Sequence, residues 1–156
     1  MIDLYDMPGH LIRRLHQISV ARFSARMAEA GLDITSVQFA ALVTVHDRPE
    51  IDQATLAGLI AHDRVTIGGV VDRLVAKGLV LREVSPRDRR ARVLKLSAEG
   101  RGVLDRVRRA AALVQSDILE GLSHEERKIF VGLLRKATDA GNEHSRAPLV
   151  TPEAAE

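Results

Sequence analysis

Across residues 64–95 the chain carries nine basic side chains (Arg64, Arg73, Lys77, Arg82, Arg87, Arg89, Arg90, Arg92 and Lys95) against three acidic ones, Asp72, Glu83 and Asp88. Guanidinium groups at that density present forked N–H donors to phosphate oxygens and to base edges, so the chemistry on offer is recognition of a polyanion. The excess is local. Over all 156 residues, 23 Lys and Arg face 21 Asp and Glu, and a net charge of +2 by itself says little about nucleic acid. A charged stretch such as RDRR (87–90) is equally well read as a solvated loop, so its neighbours decide.

Those neighbours are elements that could aim it. From Val65 the apolar residues Ile67, Val70, Val71, Leu74 and Val75 recur at helical steps, predicting a helix over 65–77 with Arg64, Thr66, Gly69, Asp72 and Arg73 outward. Gly78 is a helix stop. Residues 79–84 and 92–96 read as strands joined by SPRDRRA, a hairpin with a charged tip, and residues 53–61 as a short helix upstream. Two short helices, a tight turn and a basic hairpin predict a helix-turn-helix with a wing.

The remaining chain reads as helices over 8–31, over 36–47 with Thr35 as N-cap, from Ser97 to Leu122, and from the capping box Ser123–Glu126 to near Gly141. The expected class is thus mainly α with a small β-wing: a winged helix-turn-helix of six helices. It is one domain over 1–141, with the reader at about 35–96. The apolar faces of 8–31 and 97–141 exceed what the reader can cover, so these helices are expected to form a homodimer. Residues 142–156 are expected to be disordered.

The motifs LA-x-L-I, D-R-V-T, V-D-R-L-V-x-K-G-L-V and D-R-R-A-R-V-x-x-L-S-x-x-G, taken together, resemble the multiple antibiotic resistance regulator (MarR) family, from about residue 11 to about residue 140. The resemblance implies a two-fold dimer interlocked by its terminal helices, a palindromic operator in double-stranded DNA, and, as the usual habit, repression. It also implies that Asp63 pairs with the wing arginine Arg90. The opening PGHLIRRLHQ resembles members that respond to phenolic acids, pyridine carboxylates or their coenzyme A thioesters.

Candidate DNA contacts follow from these placements. Arg64, Thr66, Gly69 and Arg73 face outward from the reading helix and Lys77 lies at its end, while Arg87, Arg89 and Arg90 sit on the wing, where an arginine enters a narrow minor groove. Arg73 could instead pair with Asp72 or Glu83, and Lys77 could simply decorate the helix end. Asp63 and Asp88 are expected to orient the wing, or Asp88 to order its own turn. Ser36, Gln38 and Thr55, near helix starts, could reach phosphates. Gly68 and Gly69 depart from the polar side chains common at this place in the family.

For a ligand, the feature is Arg14, which takes an apolar place on the stripe Met7, Leu11, Ile18, Ala21 and Ala25, with His10 one turn before it. With Phe39 and His46 it could bind an aromatic carboxylate or a coenzyme A thioester; the other reading is an intersubunit ion pair.

Cysteine is absent, which removes disulfides, thiolate metal sites and thiol redox sensing. The six histidines are scattered and form no H-x-x-x-H or H-E-x-x-H, and no nucleophile elbow or phosphate loop is present, so neither an enzyme nor a cofactor is expected. No apolar run is long enough for a membrane span and the opening residues lack signal-peptide order, so a cytoplasmic protein without a membrane partner is expected. Two rivals stay open: a zinc-responsive regulator and a winged-helix module that contacts only protein.

Overall fold

Helix starts in this chain are written in short polar side chains. Thr35 accepts from the Gln38 N–H while the Gln38 side chain accepts from the Thr35 N–H. Asp52 accepts from the Thr55 N–H, Ser97 from the Gly100 N–H, and Ser123 forms a second reciprocal pair with Glu126. Each such cap contributes about 1 kcal/mol. In a computed structural model describing residues 3–150, they open α2 (Ser36–Asp47), α3 (Gln53–Leu59), α5 (Ala98–Ile118) and α6 (His124–Ala140). The rest comprises α1 (Pro8–Glu29), α4 (Ile67–Ala76), β1 (Val80–Val84), β2 (Arg92–Leu96) and single 3₁₀ turns at Leu4–Asp6 and Asn142–His144.

The winged helix-turn-helix with six helices is the fold observed. β1 and β2 pair antiparallel with Val80 opposite Leu96 and Val84 opposite Arg92. Gly78, at φ +70°, lets the Leu79 N–H bond back to the Leu74 carbonyl and turns α4 directly into the hairpin. A third strand segment lies outside the sequence expectation: Ile51 bridges Leu94, with the Leu94 N–H on the Ile51 carbonyl at 2.9 Å.

One core holds the reader together. Leu42 of α2, Leu56 of α3, Ile67 and Leu74 of α4, Leu94 of β2, and Leu104 and Val107 of α5 are all fully buried. From α1 only Phe23 and Met27 enter it, and α6 buries nothing. Leu11, Ile12, Ile18, Ile129, Leu133 and Leu134 are instead exposed, and α1, α5 and α6 frame an apolar groove of about 430 Å³.

Several boundaries differ from the sequence expectation, α1 ending at Glu29 rather than near residue 31 among them. α4 begins at Ile67, not Val65, after a capped turn in which Asp63 Oδ1 accepts from the Val65 N–H and the Asp63 carbonyl from those of Thr66 and Ile67. Val65, apolar but outside the helix, is 89% exposed. α3 stops at Leu59, and Ala61 then takes the left-handed conformation (φ +50°), at a cost of about 1–2 kcal/mol for a residue with a Cβ. α5 ends at Ile118 rather than Leu122. Residues 142–150, expected to be disordered, are folded back on the reader; 151–156 lie outside the described residues.

α1 is clasped to α5 by Arg26, whose Nε and Nη2 donate to Asp117 at 2.7 and 3.2 Å, and by Arg22 with Glu120. Hydrogen bonding from Arg26 holds the Asp117 carboxyl below its ordinary value. A depressed carboxyl stabilises the fold above its unfolded-state value and loses that contribution as pH falls through the folded one. The stability gap between the native chain and Asp117→Asn, read by urea unfolding, is therefore expected at neutral pH and should close below about pH 4. A gap that persists at low pH would count against the clasp. No helix among the described residues is long and apolar enough to cross a membrane.

Candidate nucleic-acid interface

The basic residues divide into those spent on the frame and those left free. Arg82 of β1 donates to Asp72 of α4 at 2.6 Å, which fixes the hairpin against the reading helix. Lys95 of β2 sits between Glu83 (3.0 Å) and Glu50 (3.1 Å), and hydrogen bonds to Glu83 and then Glu50 push its pKa up. Lys77 pairs with Asp33 at 2.8 Å and also donates to the Asp33 carbonyl. Within this chain Lys77 thus ties α4 to the α1–α2 loop.

Among the described residues, no carboxylate stands within ion-pair distance of Arg64, Arg73, Arg87, Arg89, Arg90 or Arg92. All six are exposed, as are Thr66 and Gly69. The alternative partners of Arg73 are taken, Asp72 by Arg82 and Glu83 by Lys95, and its guanidinium lies back over Gly69, where an added Cβ would meet it at 3.9 Å. The Thr66 hydroxyl hydrogen-bonds with His62 at 3.2 Å.

The wing tip is ordered from within. Asp88 accepts from the Arg90 N–H at 2.9 Å, Ser85 Oγ from the Arg87 N–H, and the Ala91 carbonyl from the Ser85 N–H. Asp88 therefore shapes the turn, the second of its two expected roles. Asp63 does not pair with Arg90: it holds the turn into α4, and its Oδ2 lies 3.2 Å from Arg146 Nε.

The three helix-start candidates separate. Gln38 is 3% exposed and belongs to the α2 cap, so it is corrected from phosphate contact to structural residue; the pattern Thr-x-x-Gln carried that signal. The Thr55 hydroxyl is spent on Asp52 at 2.6 Å, and an anion already occupies that helix start. Burial of Asp52 opposes its charge, but hydrogen bonds from Thr55 and from nearby backbone outweigh it and hold its carboxyl below the usual range. Ser36 remains exposed at the first position of α2.

The ligand candidates are not gathered within one chain. Arg14 is exposed rather than buried. His10 meets the edge of Tyr5 and lies 3.4 Å from Arg13, while Phe39 packs on Phe23 with ring centres 6.0 Å apart. His46 lines a separate hollow of about 300 Å³ with Val45, Pro49, Lys95, Leu96 and Arg101. Periodicity placed Arg14 on an apolar stripe, but among the described residues Met7, Leu11 and Arg14 itself stay exposed. Among the described residues no three His, Asp or Glu side chains gather as metal ligands.

Comparison with known proteins matches this geometry to a family. Residues 34–91, which span α2 through the wing tip, match the profile of the MarR family. The HTH-type transcriptional repressor NicR of Pseudomonas putida is 33% identical over 138 residues, covering 88% of this chain and 86% of NicR. The PcaV transcriptional regulator of Streptomyces coelicolor, solved in complex with its natural ligand, is 33% identical with a TM-score of 0.80, over 90% of this chain and 98% of its own. BpsR of Bordetella bronchiseptica, whose DNA binding is regulated by 6-hydroxynicotinic acid, is 29% identical with a TM-score of 0.82, over 89% and 98%.

Proposed function

The chain belongs to the MarR family of transcriptional regulators, and on that premise we propose that it is a repressor that binds a palindromic operator as a two-fold dimer and releases it to a small aromatic carboxylate or its coenzyme A thioester. It is a DNA-binding regulator of the winged-helix type and not an enzyme. The observation that carries the operator reading is the division of charge: Lys77, Arg82 and Lys95 are consumed in building the frame, while six arginines before α4, in its last turn and on the wing are left without carboxylate partners among the described residues. In this reading Arg64, Thr66 and Arg73 meet base edges and phosphates in the major groove and the wing arginines reach the minor groove. The test is an electrophoretic shift with the intergenic DNA upstream of the chain's own gene at rising salt, where a phosphate-driven complex weakens steeply.

Dimerisation is supported by α6, which buries no side chain within its own chain, and by the apolar groove it frames with α1 and α5. A second copy laid there would remove the exposed Ile129, Leu133 and Leu134 from water and supply the second reading helix that a palindrome requires.

For the effector, Arg14 stands one turn from Leu11 and from Ile18 on α1, and Leu11 and Leu15 line that groove. An aromatic acid there would set its ring on the apolar wall and its carboxylate on the guanidinium, at a site completed by the second chain. Binding to one of two dimer shapes would misplace the reading helices relative to successive major grooves. Arg14→Ala is expected to leave operator affinity within about twofold of the native value while abolishing release by a panel of aromatic acids, since the change lies outside the DNA face. Release that persists in this variant would remove Arg14 from the effector site. The same assay detects the CoA thioesters.

A further inference from the structure

After α6 the chain turns back and fastens onto the reader. The Asn142 side chain closes a loop on Leu149, donating from Nδ2 to its carbonyl at 2.9 Å and accepting its N–H on Oδ1 at 2.8 Å, so residues 142–149 hold a fixed shape of their own. The Val150 N–H then donates to the Gly58 carbonyl at 2.9 Å, the same carbonyl that accepts the Ala61 N–H. Here the backbones must approach closely: a Cβ on residue 58 would stand 3.0 Å from Val150 Cγ2. Between these two anchors Arg146 Nε reaches Asp63 Oδ2 at 3.2 Å.

We propose that residues 142–150 are a hook that positions the reading helix, with Arg146 and Val150 bracing the turn from which α4 starts. Both ends of that turn are held. Val150 secures Gly58, where α3 is about to end, and Arg146 secures Asp63, whose Oδ1 and carbonyl bind the N–H groups of Val65, Thr66 and Ile67. The turn needs the brace because Ala61 sits in it at φ +50° without being a glycine. Arg146 is 86% exposed in its side chain, so the ion pair alone counts for little; its weight comes from the Asn142 bracket, which fixes the surrounding backbone in advance. The hook makes the angle of α4 depend on the end of α6, the helix whose apolar face awaits the second copy. Arg146 is in this sense a positioning residue, and the inference rests on reading α4 as the DNA-contacting helix.

The test compares Arg146→Ala, Asn142→Ala and Gly58→Ala in the full chain by amide hydrogen exchange without DNA, and then by operator binding at several salt concentrations. Exchange at Val65, Thr66 and Ile67 is expected to accelerate about five- to tenfold while the amides of α5 hold, with Arg146→Lys retaining most of the protection. Gly58→Ala is the sharp case, because helix propensity alone would slow exchange there. The same variants should lose operator affinity several-fold with an unchanged slope of log affinity against log salt. Unaltered exchange overturns the proposal, and so does a slope lowered by about two, one per subunit, with exchange intact, which would make Arg146 a direct phosphate ligand. Exchange is read without DNA, so its failure belongs to the hook, whereas failure of the native chain to shift any operator belongs to the DNA reading.

Discussion

Replacing Arg87, Arg89 and Arg90 together with alanine, which takes six arginines from the dimer, is expected to lower operator affinity about ten-thousandfold near physiological salt and to reduce the salt slope by about five. Counterion release sets the size of the effect, because each neutralised phosphate contributes a slope of about −0.9. Leaving six phosphates, three per subunit, without their arginines at about 0.15 M salt then removes roughly four orders of magnitude in affinity. The fold should survive, because the wing turn is held by Asp88, Ser85 and backbone groups rather than by these guanidinium groups. Circular dichroism and thermal unfolding should therefore match the native chain, with the loss confined to DNA binding. Arg101→Ala is the control: Arg101 lies beyond the hairpin and donates to the Leu96 carbonyl at 3.1 Å. Equal losses in the two variants would show that the wing does not meet DNA.

The second large effect is on stability. Gly100, in the first turn of α5, lies so close to the residue that leads into β1 that an alanine Cβ would overlap the Leu79 carbonyl oxygen and stand 2.9 Å from its carbon. Both obstacles are backbone, and the same carbonyl accepts the Ser97 N–H at 3.1 Å, so relief requires α5 to pull away from the hairpin. Overpacking of this kind costs about 1–3 kcal/mol, and more where backbone must move. At roughly 2–4 °C per kcal/mol for a chain of this size, Gly100→Ala should lower Tm by about 5–10 °C. Gly102, two residues on, has nothing within 4 Å of its added Cβ. Gly102→Ala should therefore raise stability by up to about 1 kcal/mol through helix propensity. Similar behaviour of the two variants in a thermal scan would refute the close approach.

What the sequence reveals and what it hides divides by range. Caps at Thr35, Ser97 and Ser123, the stop at Gly78 and the hairpin are all decided by residues within a few positions of one another, and each is found where local spacing predicts it. Val65 misleads because its apolar side chain continues the helical period, whereas it lies in the turn that Asp63 caps ahead of α4. Gln38 was legible in principle, since Thr-x-x-Gln announces a reciprocal cap, but a polar residue near a helix start also suits a phosphate. Lys77 with Asp33, Asp63 with Arg146 and Gly58 with Val150 join distant stretches, and no local pattern encodes those partners. Arg14 illustrates the remaining case: helical spacing gives a residue its face, but not what lies opposite.

The separation of Arg82, Lys95 and Lys77 from the six free arginines bears on how such a protein can change over generations. Exposed side chains without partners are replaced at little thermodynamic expense, within about 0.5 kcal/mol each, whereas the paired ones tie the hairpin to α4, β2 to β1, and α4 to the α1–α2 loop. Preference for one stretch of bases can therefore drift, residue by residue, on a scaffold that stays folded throughout. A lineage of paralogues that keeps those three cations and varies the others would acquire new targets without passing through unfolded ancestors.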